Sequence, residues 1–163
     1  IQLLGQAFYE VYGTSTPPDA NFTLRIADGV LKTYDYNGTT APEFTTFYGL
    51  FDRYYSYGKK EPWNLPQRWL DAEKYMNKST KYNYVTTHDI IGGNSGSAMV
   101  NSKGEVVGLI FDGNIESLPG RYIFDMKSNN RCVAVHSDGI IETLRSVYKA
   151  GRIADELKNA KIK

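Results

Sequence analysis

The stretch Gly92–Gly113, GGNSGSAMVNSKGEVVGLIFDG, decides how this chain is read. Its first six residues hold three glycines, two serines and one asparagine. A tight turn needs glycine where the backbone takes conformations that a Cβ forbids. A reacting serine needs the same residues for a second reason, because an oxyanion hole is built from backbone N–H groups that a tight turn aims. In GGNSGS the N–H groups of Gly93 and Ser95 can point to one side of the turn, which supplies the two donors a tetrahedral intermediate requires. Gly96 then lets the chain turn into SAMVN and EVVGLIFDG, two apolar runs joined by SKG, which read as a β-hairpin. At the level of the residues, both explanations stand.

The rest of the chain sets bounds. Its 163 residues suffice for one domain with a core. A hydrophobic share of 41% and a charged share of 23% are ordinary for a globular protein. With 19 basic and 18 acidic residues the net charge is +1, so no electrostatic case arises for nucleic acid or an anionic membrane surface. No apolar run approaches the roughly 18 residues that span a bilayer. The single cysteine, Cys132, cannot form an internal disulfide and reads as a small core residue.

The opening IQLLGQAFYEVYG has no Met and no signal-peptide pattern, and Leu3, Leu4, Ala7, Phe8 and Val11 recur at helical spacing. The chain is therefore read as a piece of a longer one, entered part-way through a helix. FTLRIADGVLKTYDY predicts a hairpin turning at Asp28-Gly29. TTFYGLFDRYYSYG and LPQRWLDAEKYMN predict short helices, with Pro66 near the start of the second. The 13 tyrosines and 2 tryptophans are read as loop and core packing rather than as a binding surface. KYNYVTTHDI, GRYIFDM and RCVAVHS read as strands. A helix follows, with Asp138 as N-cap and Ile140, Ile141, Leu144, Val147 and Tyr148 on one face, and Ile153–Leu157 continues it past Gly151.

Gly92–Gly113 resembles the nucleophile region of chymotrypsin-fold serine peptidases, whose Gly-Asp/Asn-Ser-Gly motif is followed by a strand, a short turn and a second strand beside the specificity pocket. PPDANFTLRIADGVLKTY, TTHDIIGGNSGSAMVNSKGEVVGLIFDGNIE and GRIADEL resemble segments of the narrower bacterial dipeptidyl-peptidase VII and XI family. That resemblance implies a mainly β fold with flanking helices. The chain would be the C-terminal half of a chymotrypsin-like double β-barrel, ending in a C-terminal helix. Residues 1–16 would close an inserted helical domain, and residues 17–163 would form the second barrel.

By the same resemblance Ser95 is the nucleophile, and the Gly93 and Ser95 N–H groups form the oxyanion hole. Phe111, Asp112, Gly113 and Asn114 then border the substrate. Gly113 stands where an arginine accompanies Asp/Glu preference, so a pocket for apolar or aromatic side chains is implied. Asp89, six residues before Ser95, is read as structural. The resemblance further implies peptide substrates with a free N-terminus and a bacterial periplasmic or cell-surface location. It also places the triad histidine and aspartate upstream, which would leave this chain alone inactive. The apolar surface that a lone half-barrel exposes is expected to meet the rest of the chain or a second copy.

Three positions depart from the family pattern. Ala98 replaces a proline, Ile115 a tryptophan, and His136 an aspartate. These departures keep open a non-catalytic, peptide- or partner-binding relative, and the nucleophile segment also resembles glutamyl endopeptidases. His88 and His136 are read as solvated or core histidines, since triad partners must meet in a fixed geometry. Asp112 with Glu116, and Asp89 with Asp138, lack metal-site spacing, so neither metal nor cofactor is expected. The glycan-acceptor patterns at Asn37 and Asn77, and the short basic patches, are read as chance and solvated surface.

Overall fold

The computed structural model describes residues 2–13, 24, 26–123 and 129–160. The chain runs α1 (Gln2–Tyr12), β1 (Tyr34–Tyr36), β2 (Thr39–Ala41), β3 (Phe44–Thr46), α2 (Phe47–Ser56) and α3 (Gln67–Ala72), which tightens into a 3₁₀ turn at Glu73–Tyr75. Then come β4 (Lys81–Thr86), β5 (Ala98–Val100), β6 (Val106–Gly113), a 3₁₀ segment (Ile115–Arg121), β7 (Cys132–His136), α4 (Ser137–Ser146) and α5 (Gly151–Asn159). Five strands form one antiparallel sheet in the order β3-β4-β7-β6-β5. This is the sheet with flanking helices and a helical C-terminus that the sequence implies.

Tyr84, Met99, Ile110, Cys132 and Ala134 form a buried cluster on the sheet, with Phe44, Ile90 and Val107 packed against it. Small residues on β7 make this possible. Cys132 and Ala134 are fully buried, and burial pushes the Cys132 thiol up to about 11, which keeps it protonated and inert. Tyr84 lies across Gly108 and donates to Met99 Sδ at 3.1 Å. The second cluster joins helices: Phe47 and Phe51 from α2, Ala72, Met76 and Val147, with Trp69 and Tyr82 against them. Phe47, Phe51 and Tyr54 are the buried residues of α2 and share one helical face. Pro66 caps α3, where its missing N–H costs nothing.

Three expectations are corrected. The hairpin turns at Asn37-Gly38, both at positive φ (49° and 74°), and pairs Tyr34–Tyr36 with Thr39–Ala41. The Asp28-Gly29 dipeptide does not turn a hairpin. A Cβ on Gly29 would lie 2.6 Å from His88 N, and Val30 exchanges two hydrogen bonds with Thr87, so the segment runs alongside the end of β4. The predicted GRYIFDM strand is not formed in its described part. Tyr122 N and Ile123 N both donate to Pro119 O at the end of the 3₁₀ segment, and residues 124–126 lie outside the described residues.

The third correction concerns the start of α4. His136, not Asp138, is the N-cap, and its Nδ1 accepts the Asp138 N–H at 3.1 Å. That role needs a neutral ring. Burial, the largest cause, and Lys81 push the His136 imidazole below its usual value, although Asp138 Oδ2, 3.5 Å away, pulls it up. His88 is depressed by burial as well. The unfolded chain therefore takes up protons near pH ~6.5 that the folded chain refuses. Stability is complete above that pH and falls as pH drops toward the depressed folded values. The variant His136→Asn, which keeps an acceptor but does not titrate, is expected to flatten this slope in pH-dependent thermal melts and leave only the share due to His88.

Candidate active site

The turn between β4 and β5 is fastened by one residue that sequence reasoning passed over, Asn94. Its Oδ1 accepts from Ile91 N at 2.8 Å, its N–H donates to Ile91 O at 3.1 Å, and its carbonyl accepts from Ser97 N at 2.9 Å. Gly96 N donates to Ile110 O at 2.7 Å and Ile110 N to Ser97 O at 3.0 Å, which ties the turn to β6. Gly93 (φ +103°) and Gly96 (φ +87°) take conformations that L side chains rarely adopt. The N–H groups thus alternate. Those of Asn94 and Gly96 are consumed, whereas those of Gly93 and Ser95 donate to no acceptor among the described residues.

Ser95 is exposed, and its hydroxyl donates to Phe111 O at 3.4 Å. Phe111 is the extra residue of a bulge in β6, since Ile110 pairs with Ala134 while Asp112 pairs with Val133. A bulge twists the strand and re-aims its side chains. This one sits where β6 passes the serine. A cavity of about 430 Å³ opens here, lined by Ser95, Phe111, Asp112 and Gly113 together with Ile90, Ile91, Gly92, Asn94, Ile110, Ser117, Leu118 and Tyr122. Among the described residues Asp112 is the one carboxylate on its wall, and its Oδ1 accepts the Gly113 N–H at 2.8 Å.

Gly93 lies in the turn but not on the cavity wall, and Asn114 is not on the wall either. The Asn114 side chain is committed to structure. Its Nδ2 donates to Asn129 O at 2.6 Å and its Oδ1 accepts from Arg131 N at 2.7 Å. Arg131, a second residue missed from sequence, is 4% exposed. Its guanidinium donates to Lys32 O at 3.0 Å and to Thr33 O at 2.6 Å, clamping the segment before β1 to the start of β7.

Neither histidine is hydrogen-bonded to Ser95 among the described residues. His88 Nδ1 meets Thr86 Oγ1 at 2.8 Å, and His136 caps α4. Burial raises the Asp89 carboxyl, and Asp89 is not on the cavity wall. The departing residues Ala98, Ile115 and His136 also lie off the wall. Among the described residues no three His, Cys, Asp or Glu side chains converge as a metal would require, and no helix is long and apolar enough to cross a membrane.

Comparison with known proteins bears on the family and the fold. Residues 2–159 match the family model Peptidase S46. Dipeptidyl-peptidase 7 of Capnocytophaga gingivalis is 34% identical over 152 residues, covering 86% of this chain and 21% of that protein. The Asp/Glu-specific dipeptidyl-peptidase of Porphyromonas gingivalis is 30% identical over 159 residues, covering 86% and 20%. This chain therefore spans about a fifth of the length of such relatives. The fold is similar to that of Porphyromonas endodontalis DPP11 crystallised with the dipeptide Arg-Asp, with a TM-score of 0.72 at 23% identity, over 94% of this chain and 23% of that one. The chain belongs to the peptidase S46 family.

Proposed function

We propose that this chain is the nucleophile-bearing part of a serine dipeptidyl-peptidase that releases dipeptides from peptide N-termini. The observation that carries the reading is the alternation in the turn: among the described residues Gly93 and Ser95 keep their N–H groups unengaged, and Ser95 itself lines a cavity. Ser95 Oγ attacks the carbonyl of the second residue, and the two N–H groups receive the developing oxyanion. The proton of Ser95 passes to a histidine outside this chain, oriented by an aspartate also outside it, because neither His88 nor His136 engages the serine. The isolated chain is then an incomplete site. Residues 1–16 are assigned to the end of an inserted helical domain, and residues 17–163 to the second barrel. A periplasmic or cell-surface location in a bacterium and a homodimeric assembly belong to the same proposal.

The cavity suits an apolar or aromatic side chain before the cleaved bond. Ile90, Ile91, Ile110, Phe111 and Leu118 line it. Asp112 offers its carboxylate to a substrate cation, and the free α-amine of a dipeptide is such a cation. In the full-length protein, Asp112→Asn is expected to raise KM for a free-amine peptide by about 10- to 100-fold, the worth of one charge-assisted hydrogen bond. An unchanged KM removes Asp112 from substrate recognition.

The proposal is tested by incubating full-length protein with a peptide carrying an apolar second residue, once with a free and once with an acetylated N-terminus. Release of the dipeptide from the free peptide alone is expected. Cleavage inside the blocked peptide supports the glutamyl-endopeptidase-like reading instead. Binding without turnover supports the non-catalytic relative that Ala98, Ile115 and His136 favour by their departure from the family pattern.

A further inference from the structure

We infer that Asn114 is a positioning residue for substrate binding: it does not touch the substrate but fixes the Asp112 carboxylate that meets the α-amine. The inference rests on the reading that Asp112 receives that amine. The bulge at Phe111 divides β6 into two separately anchored parts. Before it, Gly96 N donates to Ile110 O and Ile110 N to Ser97 O, so the Ser95 turn is tied to the first part. After it, Asp112 pairs with Val133 and Gly113 with Cys132, so the stretch that carries the carboxylate is tied to the start of β7.

The carboxylate is held through its neighbour. Asp112 Oδ1 accepts the Gly113 N–H, and Gly113 has no side chain with which to anchor itself. Asn114 supplies the anchor. Its N–H donates to Arg131 O at 2.9 Å, and its Oδ1 accepts from Arg131 N at 2.7 Å. Its Nδ2 donates to Asn129 O at 2.6 Å. Its carbonyl accepts from Ser117 N at 3.0 Å and from the Ser117 hydroxyl at 2.6 Å, which holds that hydroxyl over Gly113. All four polar groups of Asn114 are thus used, and the residue is not on the cavity wall. Arg131 is fixed in turn by its buried side chain, which donates to Lys32 O and Thr33 O. Truncating Asn114 removes the two side-chain bonds that hold the end of β6 against β7, while the bonds of the Ser95 turn remain. The consequence is a displaced carboxylate beside an intact nucleophile.

The test uses full-length protein in five forms: unaltered, Asn114→Ala, Asn114→Asp, Asp112→Asn, and Asp112→Asn combined with Asn114→Ala. Thermal midpoints are measured for each, with kcat and KM for a free-amine peptide bearing leucine as second residue. Asn114→Ala is expected to raise KM about tenfold while kcat stays within about twofold, because a binding group is displaced and the reacting serine is not. Asn114→Asp keeps an acceptor for Arg131 N but no donor for Asn129 O, and its KM falls between the two. In the Asp112→Asn background, Asn114→Ala raises KM by less than about twofold, since the group it positions is gone. A merely structural Asn114 lowers the midpoint and leaves KM unmoved, or moves KM equally with and without Asp112, and either result overturns the inference. A loss in kcat as large as the rise in KM overturns it too, since the damage then reaches the Ser95 turn. Where the alanine variant does not fold, Asn114→Asp, alone and combined with Asp112→Asn, supplies the same comparison. If the unaltered protein releases no dipeptide, the proposed function fails and this inference with it, whereas release with an unmoved KM in the Asn114 variants defeats this inference alone.

Discussion

Replacing Ser95 with alanine is expected to lower kcat on a free-amine peptide by about a thousandfold or more, as loss of a triad nucleophile does. KM should change little. The hydroxyl makes one long hydrogen bond, 3.4 Å to Phe111 O, and the turn is held by Asn94, Gly96 and Ser97 instead. The fold should be unaffected for the same reason, since an exposed hydroxyl with one weak bond contributes little to stability. Thermal midpoint and kinetic constants, measured on the same full-length preparation, separate the two effects. A midpoint preserved with activity preserved means that the serine is not the nucleophile.

The variant Gly108→Ala is expected to destabilise the sheet by about 3 kcal/mol, the upper end for overpacking a close-packed core. Gly108 sits mid-strand in β6, paired with Met99 on one side and His136 on the other. A Cβ there would fall on the Val135 carbonyl and lie 2.5 Å from the Tyr84 hydroxyl oxygen. The tyrosine contact could relax, but the carbonyl belongs to the central strand and cannot move without opening the β6–β7 ladder. Tyr84→Phe in the same background is therefore expected to recover only part of the loss. Denaturant midpoints measure this directly, and a loss under about 1 kcal/mol would mean that the strands part more easily than their packing implies.

What the sequence made legible follows from range. The glycine turn, the β5–β6 hairpin and the helices α2 and α4 rest on residues a few positions apart, and their signals survive in one dimension. Asp28-Gly29 carried as good a local hairpin signal as Asn37-Gly38. The outcome was decided by His88 and Thr87, about 60 residues away, which take up the edge that a hairpin partner would have used. The α4 cap moved from Asp138 to His136 because His136 ends β7 with its ring nitrogen facing the first turn. Ser95, Phe111, Asp112 and Gly113 share one cavity wall, and the resemblance could set them together because the glycine turn and the end of the hairpin lie in one segment. The bulge at Phe111, the Ser117 hydroxyl over Gly113 and the Arg131 clamp on Lys32 and Thr33 were not, since each is a contact between elements.

The central claim is that Ser95 is a nucleophile whose base comes from outside this chain. Fluorophosphonate labelling followed by peptide mapping tests it most directly, with the full-length protein and the 163-residue chain side by side. The account predicts one adduct on Ser95 in the full-length protein, its absence in the Ser95→Ala variant, and no adduct in the shorter chain. An adduct on another serine, or none in an active full-length preparation, would contradict it.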